Sequence, residues 1–102
     1  METVEEHLKN IIEENNILLF MKGSPNNPNC GFSARVVAIL NEYDTKYSYI
    51  DILQNPEVRA TLPKVSEWPT FPQLFVKGEL VGGCDIITEM HNSNELEAVL
   101  LG

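Results

Sequence analysis

Ile17-Leu18-Leu19-Phe20-Met21 is an unbroken apolar run. It is too short for a helix or a bilayer span, and it offers no polar position to water. It therefore fits a strand covered on both faces, as in a parallel sheet with helices above and below. This one segment points to an α/β domain. A chain of 102 residues can bury about two-thirds of its unfolded surface around one core, and is too short for two separate domains. Residues 1–102 are thus expected to form one domain.

The flanking segments extend the pattern. Thr3 and Glu6 form a capping box, and Val4, Leu8, Ile11 and Ile12 repeat at helical spacing, predicting an amphipathic helix over 3–14 with an acidic outer face. Beyond a loop at 23–29, Ala34, Val36, Val37, Ile39 and Leu40 run without a breaker, giving a helix from about 30 or 31 to 42. Aromatic and β-branched residues over 46–53 read as a strand, and Asn55 with Pro56 starts a short helix ending near Leu62-Pro63. Segments 74–76 and 79–81 read as a hairpin turning at Lys77-Gly78, stopped by Gly82-Gly83. Asp85 is positioned to cap a helix through Met90, and Asn94 a last one through Leu101. A right-handed β-α-β crossover followed by a hairpin gives a four-stranded mixed sheet flanked by about five helices.

Charge narrows the partners. Lys and Arg number 7 against 15 Asp and Glu, a formal charge of −8, and no basic stripe is present, so a phosphate backbone would be repelled and nucleic acid is not expected. The start METVEEHLKN is acidic where a signal or transit peptide would be basic, and no run is long enough for a membrane; the expectation is a cytoplasmic protein. Two cysteines 54 positions apart make too thin a disulfide framework for a secreted domain, so reduced thiols are expected.

The strand, loop and helix place Cys30 at a helix N-terminus, where unpaired backbone N–H groups and the positive end of the macrodipole stabilise a thiolate. An isolated cysteine is otherwise a small buried hydrophobe; the helix start shifts Cys30 towards reactivity. Lys22, ending the strand, brings a positive charge. In Cys30-Gly31-Phe32-Ser33 the position one turn below the thiol holds Ser33, so no internal thiol can resolve a mixed disulfide and any catalysis needs a thiol from outside. His7 and His91 stand at no metal-ligand spacing with either cysteine, which argues against a zinc site, and Trp68 reads as a packing residue.

Cys30-Gly31-Phe32-Ser33 after Met21-Lys22-Gly23, then Trp68-Pro69-Thr70-Phe71-Pro72-Gln73, then Gly82-Gly83-Cys84-Asp85, resembles the single-domain monothiol glutaredoxins over almost the whole chain. The resemblance implies a thioredoxin fold, a cis Pro72, and a glutathione site on Lys22, Cys30, Phe32, Arg59, the backbone of Phe71, and Cys84 with Asp85. These residue types suit an anionic tripeptide: cations for its carboxylates, an extended backbone at Phe71, and helix-start amides at Cys84 and Asp85. No redox role is assigned to the Cys84 side chain. Two functions are implied: carriage of a [2Fe-2S] cluster ligated by Cys30 and delivered to apo iron-sulfur proteins, or glutathione-dependent thiol-disulfide oxidoreduction (deglutathionylation). A cluster wants four thiolates; two chains and two glutathiones supply them, so a cluster-bridged homodimer follows from the family's arrangement, with a BolA-type protein as a further implied partner.

Overall fold

The computed structural model describes all 102 residues. Helix α1 (Val4–Glu14) opens with Thr3 as N-cap, its side chain accepting from the Glu6 amide. Strand β1 (Ile17–Met21) follows, then a small ribbon of β2 (Gly23–Ser24) and β3 (Asn27–Pro28), then α2 (Gly31–Leu40) with Cys30 as its N-cap. The rest comprises β4 (Ser48–Asp51), α3 (Pro56–Ser66), β5 (Gln73–Val76), β6 (Glu79–Gly82), α4 (Cys84–Asn92) and α5 (Leu96–Leu101). The main sheet has the order β4-β1-β5-β6, parallel between β1 and β4 and antiparallel elsewhere. The expected four-stranded mixed sheet and five helices are present, with β1 inside the sheet.

The two faces of β1 explain its unbroken apolar sequence. Ile17, Leu19 and Met21 point to one core layer with Val36, Leu40, Ile87, Leu96 and Leu100, from α2, α4 and α5. Leu18 and Phe20 point the other way, to Leu8, Ile12, Val58 and Leu62 from α1 and α3. Phe20 is fully buried and meets Phe75 edge-to-face with ring centroids 5.6 Å apart. With water excluded from both faces, a polar residue anywhere in β1 would lose its hydration.

Several expected boundaries shift, each for a local reason. The strand expected at 46–53 is confined to Ser48–Asp51. Helix α3 does not stop at Leu62-Pro63 but runs through Pro63 to Ser66, because Val58, Leu62 and Val65 form one stripe against the core on both sides of the proline. The loop at 23–29 contains the β2–β3 ribbon. Asp85 lies in the first turn of α4 rather than capping it; Gly83 is the N-cap. Nor does Asn94 cap α5, whose N-cap is Glu95. Asn94 instead closes α4 in the left-handed region at φ 64°, its amide bonding the His91 carbonyl while the Glu95 amide bonds that of Met90. That is a Schellman closure with asparagine in the place glycine usually takes. The hairpin turns where expected: Lys77 and Gly78 both have positive φ, as a tight turn matching strand twist requires.

Candidate functional site

Cys30 has an extended backbone and its carbonyl accepts from the Ala34 amide, so the thiol stands over the open first turn of α2. It is half-buried and makes no capping hydrogen bond of its own. Burial pushes the thiol pKa up, but the amides of Ser33 and Phe32, the Ser33 hydroxyl and the charge of Lys22 together outweigh it and hold the thiol below its ordinary value. The helix-start argument is therefore realised in the geometry.

Ser33 does more than leave out a second thiol. It is completely buried, and its hydroxyl accepts from the Lys22 amide at 3.1 Å while facing the Cys30 sulfur. The end of β1 and the start of α2 are thus joined through one side chain. The Lys22 carbonyl in turn accepts from the Asn29 amide at 2.9 Å.

A cleft of about 580 Å³ opens beside this thiol. Its walls bring together Lys22, Phe32, Arg59, Phe71, Cys84 and Asp85, with Trp68 and Thr70. Cys30 stands next to this wall, through its neighbour Phe32 and the charge of Lys22, rather than within it. Phe32 is 62% exposed, an apolar ring left in water beside the thiol. Cys84 is 9% exposed, its sulfur 3.9 Å from the Thr88 hydroxyl. Two cations and the open start of α4 are groups that can receive carboxylates, and Asp85 offers one acceptor for an ammonium group.

Backbone shape at the cleft depends on Gly82-Gly83. Gly82 has φ 144°, and a side chain there would meet Ile86 at 2.9 Å. At Gly83 an added Cβ would press on the Trp68 indole nitrogen at 3.2 Å and the Pro72 carbonyl at 3.3 Å. The Phe71–Pro72 bond is cis, as the resemblance implied.

Trp68, expected only to pack, lines the cleft, and its indole nitrogen is buried with no hydrogen-bond partner. Gln73 closes one of the sequence motifs but has no role assigned from the sequence: fully buried, it donates to the carbonyls of Trp68 at 2.8 Å and Thr70 at 3.1 Å, fixing the loop that presents Phe71. A polar residue opening the apolar strand Gln73-Leu74-Phe75-Val76 was the signal available. A larger groove, about 660 Å³, is lined by His7, Tyr49, Asp51, Gln54, Asn55 and Glu57 among others, but contains no thiol. No group of three or more His, Cys, Asp or Glu is arranged to hold a metal ion within one chain, and no helix is long and apolar enough to cross a membrane.

The glutaredoxin family model matches residues 17–81. The chain is 55% identical over 100 residues to "Glutaredoxin 4" of Escherichia coli (strain K12), covering 98% of this chain and 87% of that protein. It is also 55% identical over 97 residues to "Probable monothiol glutaredoxin 2" of Rickettsia felis, covering 95% of this chain and 93% of the relative. Among solved structures, a monomeric truncated mutant of Trypanosoma brucei 1-C-Grx1 superposes with a TM-score of 0.85 at 39% identity, covering 99% of this chain and 92% of that one.

Proposed function

The chain belongs to the glutaredoxin family, and on that premise we propose that it is a monothiol glutaredoxin that binds glutathione and carries a [2Fe-2S] cluster to apo iron-sulfur proteins. The observation that carries this reading is the pairing of one open, thiolate-prone Cys30 with a sealed Ser33 one turn below it. In the cleft, Lys22 and Arg59 take carboxylate of the glycine end, the Phe71 backbone pairs with the extended peptide, and the amides of Cys84 and Asp85 receive the γ-glutamyl carboxylate. The Asp85 side chain accepts from the ligand's ammonium group.

The donor set fits a shared cluster. Four thiolates are wanted, and one chain offers a single accessible cysteine and no multidentate group. Two chains and two glutathiones complete the set, which makes a cluster-bridged homodimer the proposed carrier form and a BolA-type protein a proposed alternative partner. The exposed ring of Phe32, next to Cys30, supports this reading, since a second chain meeting at the thiol would cover it.

The lowered thiol pKa also favours a second reading, glutathione-dependent deglutathionylation. There the Cys30 thiolate attacks the glutathione sulfur of a mixed disulfide, the substrate leaves as a thiolate, and a second glutathione thiolate then attacks the Cys30 adduct. That attack releases glutathione disulfide and restores the Cys30 thiolate. Parallel assays separate the two: reduction of a small mixed disulfide, and transfer of a reconstituted cluster to an apo-ferredoxin. Efficient transfer with slow reduction is expected. Turnover comparable to a dithiol glutaredoxin without transfer would replace the first reading by the second.

A further inference from the structure

We infer that Asp51 is a positioning residue for the glutathione cleft, acting through the backbone of Lys22. Its Oδ1 accepts from the Gly23 amide at 2.9 Å and from the Leu53 amide at 2.9 Å, tying the start of the β2–β3 ribbon to the end of β4 across 28 positions of sequence. Gly23 has φ 92°, and an added Cβ there would lie 2.5 Å from the Asn27 carbonyl oxygen, so the chain makes a sharp left-handed turn directly after Lys22. Together with the Ser33 hydroxyl on the Lys22 amide and the Asn29 amide on its carbonyl, this clamp holds Lys22 from three sides. Asp51 itself faces the other groove and is absent from the cleft wall, so any effect on a cleft ligand passes through Lys22.

The inference rests on the glutathione reading, and the test separates the two. Titrating reduced glutathione against uniformly labelled protein, followed by backbone amide shifts, gives the affinity and checks the fold in one measurement. Asp51→Ala should weaken binding about three- to tenfold, less than the full loss of a charge-assisted hydrogen bond because the effect reaches the ligand only through Lys22. Asp51→Asn, which keeps an oxygen acceptor for both amides, should stay within about twofold of the native protein. In a Lys22→Ala background Asp51→Ala should add almost nothing, since the two act in one chain of contacts. If Lys22→Ala weakens binding and Asp51→Ala does not, the clamp is wrong and the glutathione reading stands. If Asp51→Ala weakens binding equally in both backgrounds, its action does not pass through Lys22 and the inference fails. If neither substitution matters, Lys22 does not hold the ligand and the inference fails while the glutathione reading stands; if the native protein shows no saturable amide shifts with glutathione, the glutathione reading itself fails. Should Asp51→Ala not fold, amide exchange in the native protein decides: a slowly exchanging Gly23 amide supports the clamp, and exchange at the rate of an open loop overturns it.

Discussion

Ser33 carries two duties in one hydroxyl, and its removal exposes both. Ser33→Ala takes a hydrogen bond from the Cys30 sulfur and the only side-chain acceptor from the Lys22 amide. The Cys30 pKa should rise towards that of an ordinary thiol, as read from thiolate absorbance during a pH titration; an unchanged midpoint would remove the hydroxyl from the thiolate's support. The sign for stability follows. With the folded pKa below the unfolded one, Cys30 contributes stability above the ordinary thiol pKa, and this is lost as pH falls through the lowered folded value. At the cleft, Lys22→Ala and Arg59→Ala should each weaken glutathione about three- to a hundredfold, Arg59 nearer the lower end because it is exposed. Calorimetric affinities unaltered in both variants would exclude them from the site. Cys30 and Lys22 were legible in the sequence because their places follow from the order strand, loop, helix. Asp51 and Gln73 were not, because they serve backbone atoms of other elements and leave no spacing pattern.

At the scale of elements, β1 and the closure of α4 give contrasting cases. The alternation of β1 between two core layers makes Phe20 the hinge of one of them, and Phe20→Ala should destabilise the fold by about 3–5 kcal/mol in chemical denaturation. A loss under 1 kcal/mol would mean that the α1 and α3 layer is held by something else. Asn94 at φ 64° tolerates a conformation that costs an ordinary L-residue about 1–2 kcal/mol, so Asn94→Ala should lower stability by up to that amount. Asn94→Gly should hold or raise stability, and thermal unfolding of both variants checks the order. Strands and helices themselves were legible from periodicity. Their ends were less so: Pro63 reads as a stop, yet Leu62 and Val65 bury on either side of it, and tertiary packing overrides the local signal. Asn94 reads as an N-cap but terminates the preceding helix, since asparagine suits both ends and only the chain path decides between them.

Over the whole molecule, a surface of net charge −8 gathers Lys22 and Arg59 at the one cleft beside an open thiol. Under the proposed function, this arrangement captures an anionic thiol cofactor and presents a combined thiolate pair to a second copy of the chain. In that proposal each chain lacks the remaining cluster ligands, and this incompleteness would let a shared group be passed on. Anaerobic reconstitution with iron and sulfide, with and without glutathione, tests this most directly when visible absorbance, cluster content and bound glutathione are measured on the native protein, Cys30→Ser and Cys84→Ser. The account predicts about one [2Fe-2S] cluster and two glutathiones per two chains, formed only with glutathione, abolished in Cys30→Ser and retained in Cys84→Ser. A cluster that forms without glutathione, or that survives in Cys30→Ser and is lost in Cys84→Ser, would contradict it.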